Sequence, residues 1–384
     1  MQNKTLLTLL CLCLGSAPLW APKGKDDNTL ESPKPVAAAA HPSTESFDLV
    51  TWVIKTLQST EPEHAAHKEA LLQQCATTVE LKIAGRLTLS TDLMAPFRNV
   101  CSLSLTCITS KDLPLLPCPE KLQSLNIHNS VFETISKIQH YINLHTLQFR
   151  SMPPEVTDSG PSKTERLGVL TQLRKLRTLH CGSLFTLDGS APAESALFIS
   201  ILDNNPEIEE LQSRGAVAED VVHKLAHVSL RRLSLSYGQL DDARFALLPF
   251  GTLEALSLSG LNTLTSLEPL RGSQLRVFQL ATQENLSDLE PLRDSPLRVL
   301  HLANQENLGD TLAQVICSMQ NLEELDLFEC RLTDAQAESL LQLAPKLHKF
   351  GLHSSDFRMS LEMRQRLKEV FGDKLRHFSS FLSP

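Results

Sequence analysis

Leu275-Arg276-Val277-Phe278-Gln279-Leu280 and Leu297-Arg298-Val299-Leu300-His301-Leu302 are two copies of one pattern, set 22 residues apart. Each begins with a leucine, then alternates apolar and polar residues, the pattern of a short strand with one face buried. Matching polar loops follow, Gln283-Glu284-Asn285 and Gln305-Glu306-Asn307. The middle apolar residue marks further copies outward in both directions. The series runs Leu81, Leu103, Leu125, Leu147, Leu179, Leu211, Leu233, Leu256, Phe278, Leu300, Leu325, Phe350 and Phe378. Most steps are 22 or 23 residues; two of 32 flank Leu179, and the last three are 25, 25 and 28. A unit this small cannot bury its apolar face alone, so neighbouring units must stack into one continuous core.

The L-x-x-L-x-L motif at this period resembles the leucine-rich repeat family, over most of the chain after about residue 78. The resemblance implies an α/β solenoid: a leucine-rich repeat horseshoe with a curved parallel sheet on its concave face. A second apolar set on the return path, Leu264, Leu286 and Leu308, would lie under the same core. The family usually places asparagine five residues after the marker. This chain has Gln283, Gln305, Cys330 and Ser355 there, which predicts a weaker ladder of loop hydrogen bonds.

The returns differ along the chain. Leu267-Glu-Pro-Leu270 and Leu289-Glu-Pro-Leu292 carry proline at matching places, which disfavours a regular helix. Asp334 to Leu343 is built of strong helix formers and predicts a helix-backed unit. Ala193 to Leu202 reads as a longer helix before Pro206, and Asp241-Asp242 as a helix cap. Residues 151–165, with Met-Pro-Pro-Glu and Ser-Gly-Pro-Ser, have the composition of an exposed inserted loop.

The chain divides into four stretches. Residues 1–21 have one charge, an apolar run from Leu6 to Leu14 and small residues after it, the features of a secretory signal peptide. Residues 22–46 mix charge, proline and a run of alanines, as a disordered linker does. Residues 47–77 show helical periodicity and are expected to cap the open end of the solenoid, which occupies residues 78–384. Leu361 to Phe371 is amphipathic and basic, the pattern of a closing helix.

The 384 residues carry a formal net charge of −8, which argues against nucleic acid as the main ligand. Seven of the nine cysteines lie beyond the apolar leader. Cys181 falls on the apolar framework and Cys330 at the loop position, so both read as core thiols; a Cys75–Cys101 disulfide stays open. The odd number of thiols pulls towards a reducing compartment, against the leader. His64 and His67 are three apart, but a solvated helix face is the better reading than a metal site. There is no phosphate-binding glycine loop, G-x-S-x-G elbow or H-E-x-x-H. No catalytic residue, metal or cofactor is expected.

What remains is surface. The polar strand positions should face the concave side and, at roughly 4.8 Å per strand, thirteen strands span about 60 Å of arc. The binding residues expected there are Gln279, His301, Glu324, Asp326, Phe328, Lys349 and His353, with Phe328 as an aromatic anchor. The charges two before the marker, from Arg231 and Glu254 to Arg298 and Glu323, would pair across adjacent strands. The reading is a non-enzymatic protein that is exported, whether secreted, periplasmic or at a cell surface, and binds an unidentified protein partner. The alternative is a cytoplasmic scaffold or substrate adaptor, for example for a ubiquitin ligase.

Overall fold

The computed structural model describes residues 75–376, with gaps at 85–88, 90, 150–161, 183, 186, 216, 306–310, 331 and 354–358, and a few residues just before Cys75. The leader, the linker, most of the 47–77 cap with His64 and His67, Leu308 and Ser355 lie outside these. The described chain is one open, all-parallel sheet of thirteen strands with its returns on the opposite side. In order the strands are β1 Glu80–Ala84, β2 Ser102–Thr106, β3 Ser124–His128, β4 Thr146–Phe149, β5 Thr178–Gly182, β6 Glu210–Arg214 and β7 Arg232–Ser236. There follow β8 Ala255–Ser259, β9 Val277–Ala281, β10 Val299–Ala303, β11 Glu324–Phe328, β12 Lys349–His353 and β13 Leu375–Arg376.

The markers meet side by side. Leu256 pairs with Phe278, Phe278 with Leu300, Leu300 with Leu325 and Leu325 with Phe350. At the end of the series the structure corrects the spacing: Leu375, not Phe378, pairs with Phe350. The last step is therefore 25 residues, like the two before it. The period-2 pattern is clean in β8 and β9, with Phe278 and Leu280 buried and Val277, Gln279 and Ala281 half-exposed. Register is tightly specified because a slip of one residue would turn the whole leucine column to solvent.

Eight of the strands end the same way. The residue four after the marker takes a left-handed conformation in Cys107, Asn129, Gly215, Tyr237, Gly260, Thr282, Asn304 and Glu329. Its N–H then donates to the last carbonyl of the next strand, as from Tyr237 to Ser259 at 2.7 Å and from Thr282 to Ala303 at 2.9 Å. This turn leads each strand out of the sheet and satisfies an N–H that would otherwise be left without a partner.

One residue further on, Gln283 and Gln305 are buried and donate their amides to Ala281 and Ala303, two residues back. They tighten their own loops; Cys330 Sγ lies by the equivalent Phe328 carbonyl and also by the Leu302 carbonyl of the previous repeat. Cys181 is likewise buried, and all seven described cysteines, Cys75 and Cys101 included, are free thiols.

The returns follow the proline and helix signals. Glu268–Leu270 and Glu290–Leu292 form single 3-10 turns. α-Helices back the flanking repeats: α1 Lys163–Gly168, α2 Pro192–Asn204, α3 Glu219–Leu225, α4 Asp242–Phe245, α5 Leu312–Ser318, α6 Asp334–Leu341 and α7 Leu361–Phe371. Asp241 does cap α4, and Thr333 caps α6 in a reciprocal box with Gln336. Ser162 and Glu165 form the same box on α1, so the insertion stops short of residue 165 and its last residues start a helix. In the first repeats the return contains a feature the periodicity missed, a second parallel ribbon of Thr109–Asp112 and Val131–Thr134.

Two repeats are ten residues longer than the common 22-residue unit, and Asn205 shows how they fit. It is 1% exposed; its side chain accepts from Leu176 N–H and donates to the carbonyls of Leu173 and Ile201. It thereby ties the end of α2 to the repeat before it. At the far end α7 lays Phe371 on Phe350, with ring centres 4.3 Å apart, and closes the core.

Candidate binding face

The strand positions that alternate with the core residues form rows across the sheet. The central row reads Gln148, His180, Gln212, Ser234, Ser257, Gln279, His301 and Asp326, one residue from each strand in register. Where the row passes over β7 and β8 the side chains are small: Ser234 and Ser236, then Ala255, Ser257 and Ser259. Larger side chains rise on either side, so the surface dips into a concave pocket of about 820 Å³ between β5 and β10.

One wall of this pocket is a hydrogen-bonded trio. His180 Nε2 lies 2.8 Å from Glu210 Oε1, and Arg232 Nε donates to Glu210 Oε2 at 2.8 Å. Burial pushes the Glu210 carboxyl up, but the bonds from Arg232 and His180 together outweigh it and hold the group below the usual carboxylate range. Glu210 is therefore ionised at neutral pH and fixes both neighbours. The register shift between β5 and β6, after His180, leaves Gly182 at this edge, with φ of 51°.

The opposite lip is Arg214 over Tyr237. The guanidinium carbon is 4.5 Å from the ring centre, within reach of a cation–π attraction. Both side chains are exposed, and the tyrosine is 54% so. Tyr237 stands at the left-handed strand exit, which throws its ring over the mouth of the pocket. Gly260 allows this, because a Cβ there would sit 3.1 Å from Tyr237 Cδ1.

Of the residues expected from sequence, Gln279 and His301 line this pocket. They pair across β9 and β10, with Gln279 Nε2 3.2 Å from His301 Nδ1. Burial pulls the His301 pKa down; Glu324 acts against this and Lys349 with it, so the ring is neutral at pH 7. Glu324 and Lys349 form a separate group one row away, where they are register partners joined by a 2.5 Å ion pair. Asp326 continues the central row beside His301, between the core residues Leu325 and Leu327, and is only 2% exposed. Phe328 is half-buried at the end of β11, and the His353 backbone pairs beside it.

The expected charge ladder is present along the sheet edge. Arg298 forks onto Glu323 at 2.7 to 2.9 Å, and Arg231 reaches Glu254 at 3.5 Å. Glu254, Arg298 and Glu323 line a second groove of about 660 Å³ with Arg276 and Lys346.

His180, Glu210, Arg214, Arg232 and Tyr237 were not singled out by motif reading. Their signal was there nonetheless: they come from the second long repeat and the two that follow it, next to where the period breaks. Tyr237 also occupies a position that neighbouring repeats give to glycine, Gly215 and Gly260.

The chain matches no family model, and no curated protein matches it. Among solved structures it is similar to an internalin from Listeria monocytogenes, with 18% identity over 86% of this chain and 94% of that one, and a TM-score of 0.52. It is also similar to a chain of the yeast Rad7 and Elc1 complex, with 17% identity over 76% of this chain and 75% of that one, and a TM-score of 0.46. The first of these likenesses shows the fold, in agreement with leucine-marked strands stacked in parallel register.

Proposed function

We propose that this leucine-rich repeat solenoid is a non-enzymatic, exported protein that captures a protein partner on its concave face. The observation that carries this reading is the pocket between β5 and β10. It joins a floor of small side chains to an exposed aromatic and an arginine, the residue types that dominate binding energy at protein interfaces. The hydrogen-bonded His180–Glu210–Arg232 wall is set before binding, so little side-chain entropy is lost there on association. Export is supported by the apolar Leu6–Leu14 run and the small residues after it.

The test places a photo-crosslinking residue at Ser257 on the concave floor and, separately, at Glu338 on the convex helix α6 of the full chain in its source cells. Protein adducts from Ser257 and not from Glu338 support the reading; equal adducts, or adducts only from Glu338, overturn it. The mature N-terminus, read by mass spectrometry, tests export. A start near Pro18 or Pro22 supports it. An intact Met1 or Gln2 on the soluble protein replaces export with the cytoplasmic adaptor, the reading favoured by the odd number of thiols beyond the leader.

A further inference from the structure

We infer that the concave pocket between β5 and β10 takes an acidic side chain, an aspartate or glutamate, carried by an extended segment of the partner protein. This rests on the concave-face reading and adds the chemistry of what is recognised. Charge is the first argument. The chain as a whole is negative at −8, yet the ionised side chains lining the pocket are two guanidiniums, Arg214 and Arg232, against one carboxylate, Glu210. Glu210 is already committed to Arg232 and His180. Among the described residues Arg214 has no carboxylate partner; its contact is the face of Tyr237.

That contact leaves the chemistry of Arg214 available. A ring attracts the guanidinium through its π face, whereas a carboxylate binds the N–H edge in the guanidinium plane, so one arginine can do both. Charge balance also selects the ligand. A single uncommitted cation matches one carboxylate; a phosphate dianion would find one positive charge too few.

Shape is the second argument. The serine and alanine floor of β7 and β8 has no side chain large enough to hold a partner backbone away, and Ser234 and Ser257 can bond to its peptide groups. The Tyr237 ring then covers the flanking residue of the segment, for which an apolar side chain fits best.

The experiment sorts a phage-displayed library of random twelve-residue peptides on the full chain, then measures selected peptides against wild type, Arg214→Gln and Ser257→Arg. Both substitutions lie on exposed or half-exposed positions, and circular dichroism confirms that each variant folds. The expected result is a set of peptides sharing an Asp or Glu beside an apolar residue. Their affinity should fall about tenfold or more in Arg214→Gln, and equally when the peptide acid is changed to its amide. Ser257→Arg should abolish binding. Peptides that Ser257→Arg blocks but that show no acidic preference, or that ignore Arg214→Gln, overturn the acidic-ligand inference while leaving the concave face as the binding surface. Peptides indifferent to all three changes overturn the concave-face reading itself. Selection of phosphate-bearing ligands over acidic peptides in a parallel competition, or failure to enrich any peptide, also overturns the inference.

Discussion

Arg214 rests on Tyr237 from the strand before it, with the guanidinium carbon 4.5 Å from the ring centre, while Gly260 leaves room for the same ring from the strand after it. Three consecutive repeats thus position one exposed aromatic. The expected outcome of Gly260→Ala follows from two effects that add. The residue has φ of 62°, and the new methyl would meet Tyr237 Cδ1 at 3.1 Å. Left-handed backbone costs a non-glycine residue about 1–2 kcal/mol, so urea unfolding should show a loss of that size. The chain has two tyrosines, and Tyr141 is buried. Fluorotyrosine NMR of the variant should therefore shift the Tyr237 resonance and leave that of Tyr141 in place; two unchanged resonances would refute the contact.

Thr282 is the exposed strand exit two repeats after Tyr237, and its φ of 54° is unfavourable for a β-branched residue. Asn129 and Asn304 occupy equivalent exits. Replacing Thr282 by Asn should stabilise the fold by about 0.5–1 kcal/mol, since asparagine tolerates this conformation and the backbone bond to Ala303 is kept. A higher denaturant midpoint with an unchanged slope is the expected observation. An unchanged or lower midpoint would show that the exit stores no strain.

These exits also mark what the sequence made legible. The leucine columns were readable because a period-2 strand inside a fixed repeat leaves few other registers, and the returns were readable because Pro269 and Pro291 forbid what Ala335 to Leu341 favours. The exit was not, because its side chain ranges from Gly260 to Cys107 and Glu329: the constraint lies in the backbone, and only the glycines and asparagines advertise it. The final strand was misplaced for a related reason. Phe378 and Leu375 are both apolar, and only pairing with Phe350 chooses between them. The pocket was missed because its walls come from strands 30 and 22 residues apart, His180 to Glu210 and Glu210 to Arg232, where no single motif joins them. Gln279 and His301 were found because they share a row within the regular repeats.

Burial sets the alkaline limit of the fold. It pushes the thiols of Cys75 and Cys181 up to about 11, that of Cys330 up to about 12, and the Tyr141 hydroxyl up to about 12. A pKa raised in the folded state gives stability that is complete below the unfolded value and declines as pH rises towards the folded one. Stability should therefore hold up to about pH 8.5 and fall between there and about pH 12. Cys181→Ala should flatten part of that slope, measured by urea unfolding at pH 8 and pH 10. Brief alkylation at pH 8 should modify exposed Cys107 and spare Cys181 and Cys330 until denaturant is added; equal labelling of all three would contradict their burial.

His301 has the opposite sign. Its pKa is lowered by burial, so the unfolded chain takes up a proton first, and stability is lost as pH falls from about 6.5 towards the folded value. His301→Gln should be less sensitive than wild type to a change from pH 7 to pH 5.5, as followed by the denaturant midpoint. Parallel losses in the two proteins would mean that His301 titrates as a solvated ring.

The 3-10 turns at Glu268–Leu270 and Glu290–Leu292 have a mechanical consequence. A helix is about 10 Å across where a strand needs about 4.8 Å, so each helix on the outer side wedges its repeat away from the next. Single turns are slimmer wedges. The stretch from β8 to β10 should therefore bend less than the helix-backed repeats on either side of it. Shortening α2 or α6 would open the ends of the arc, whereas lengthening the Pro269 or Pro291 turn into a helix would pinch its middle. Small-angle scattering would read either change as a shift in the radius of the whole molecule.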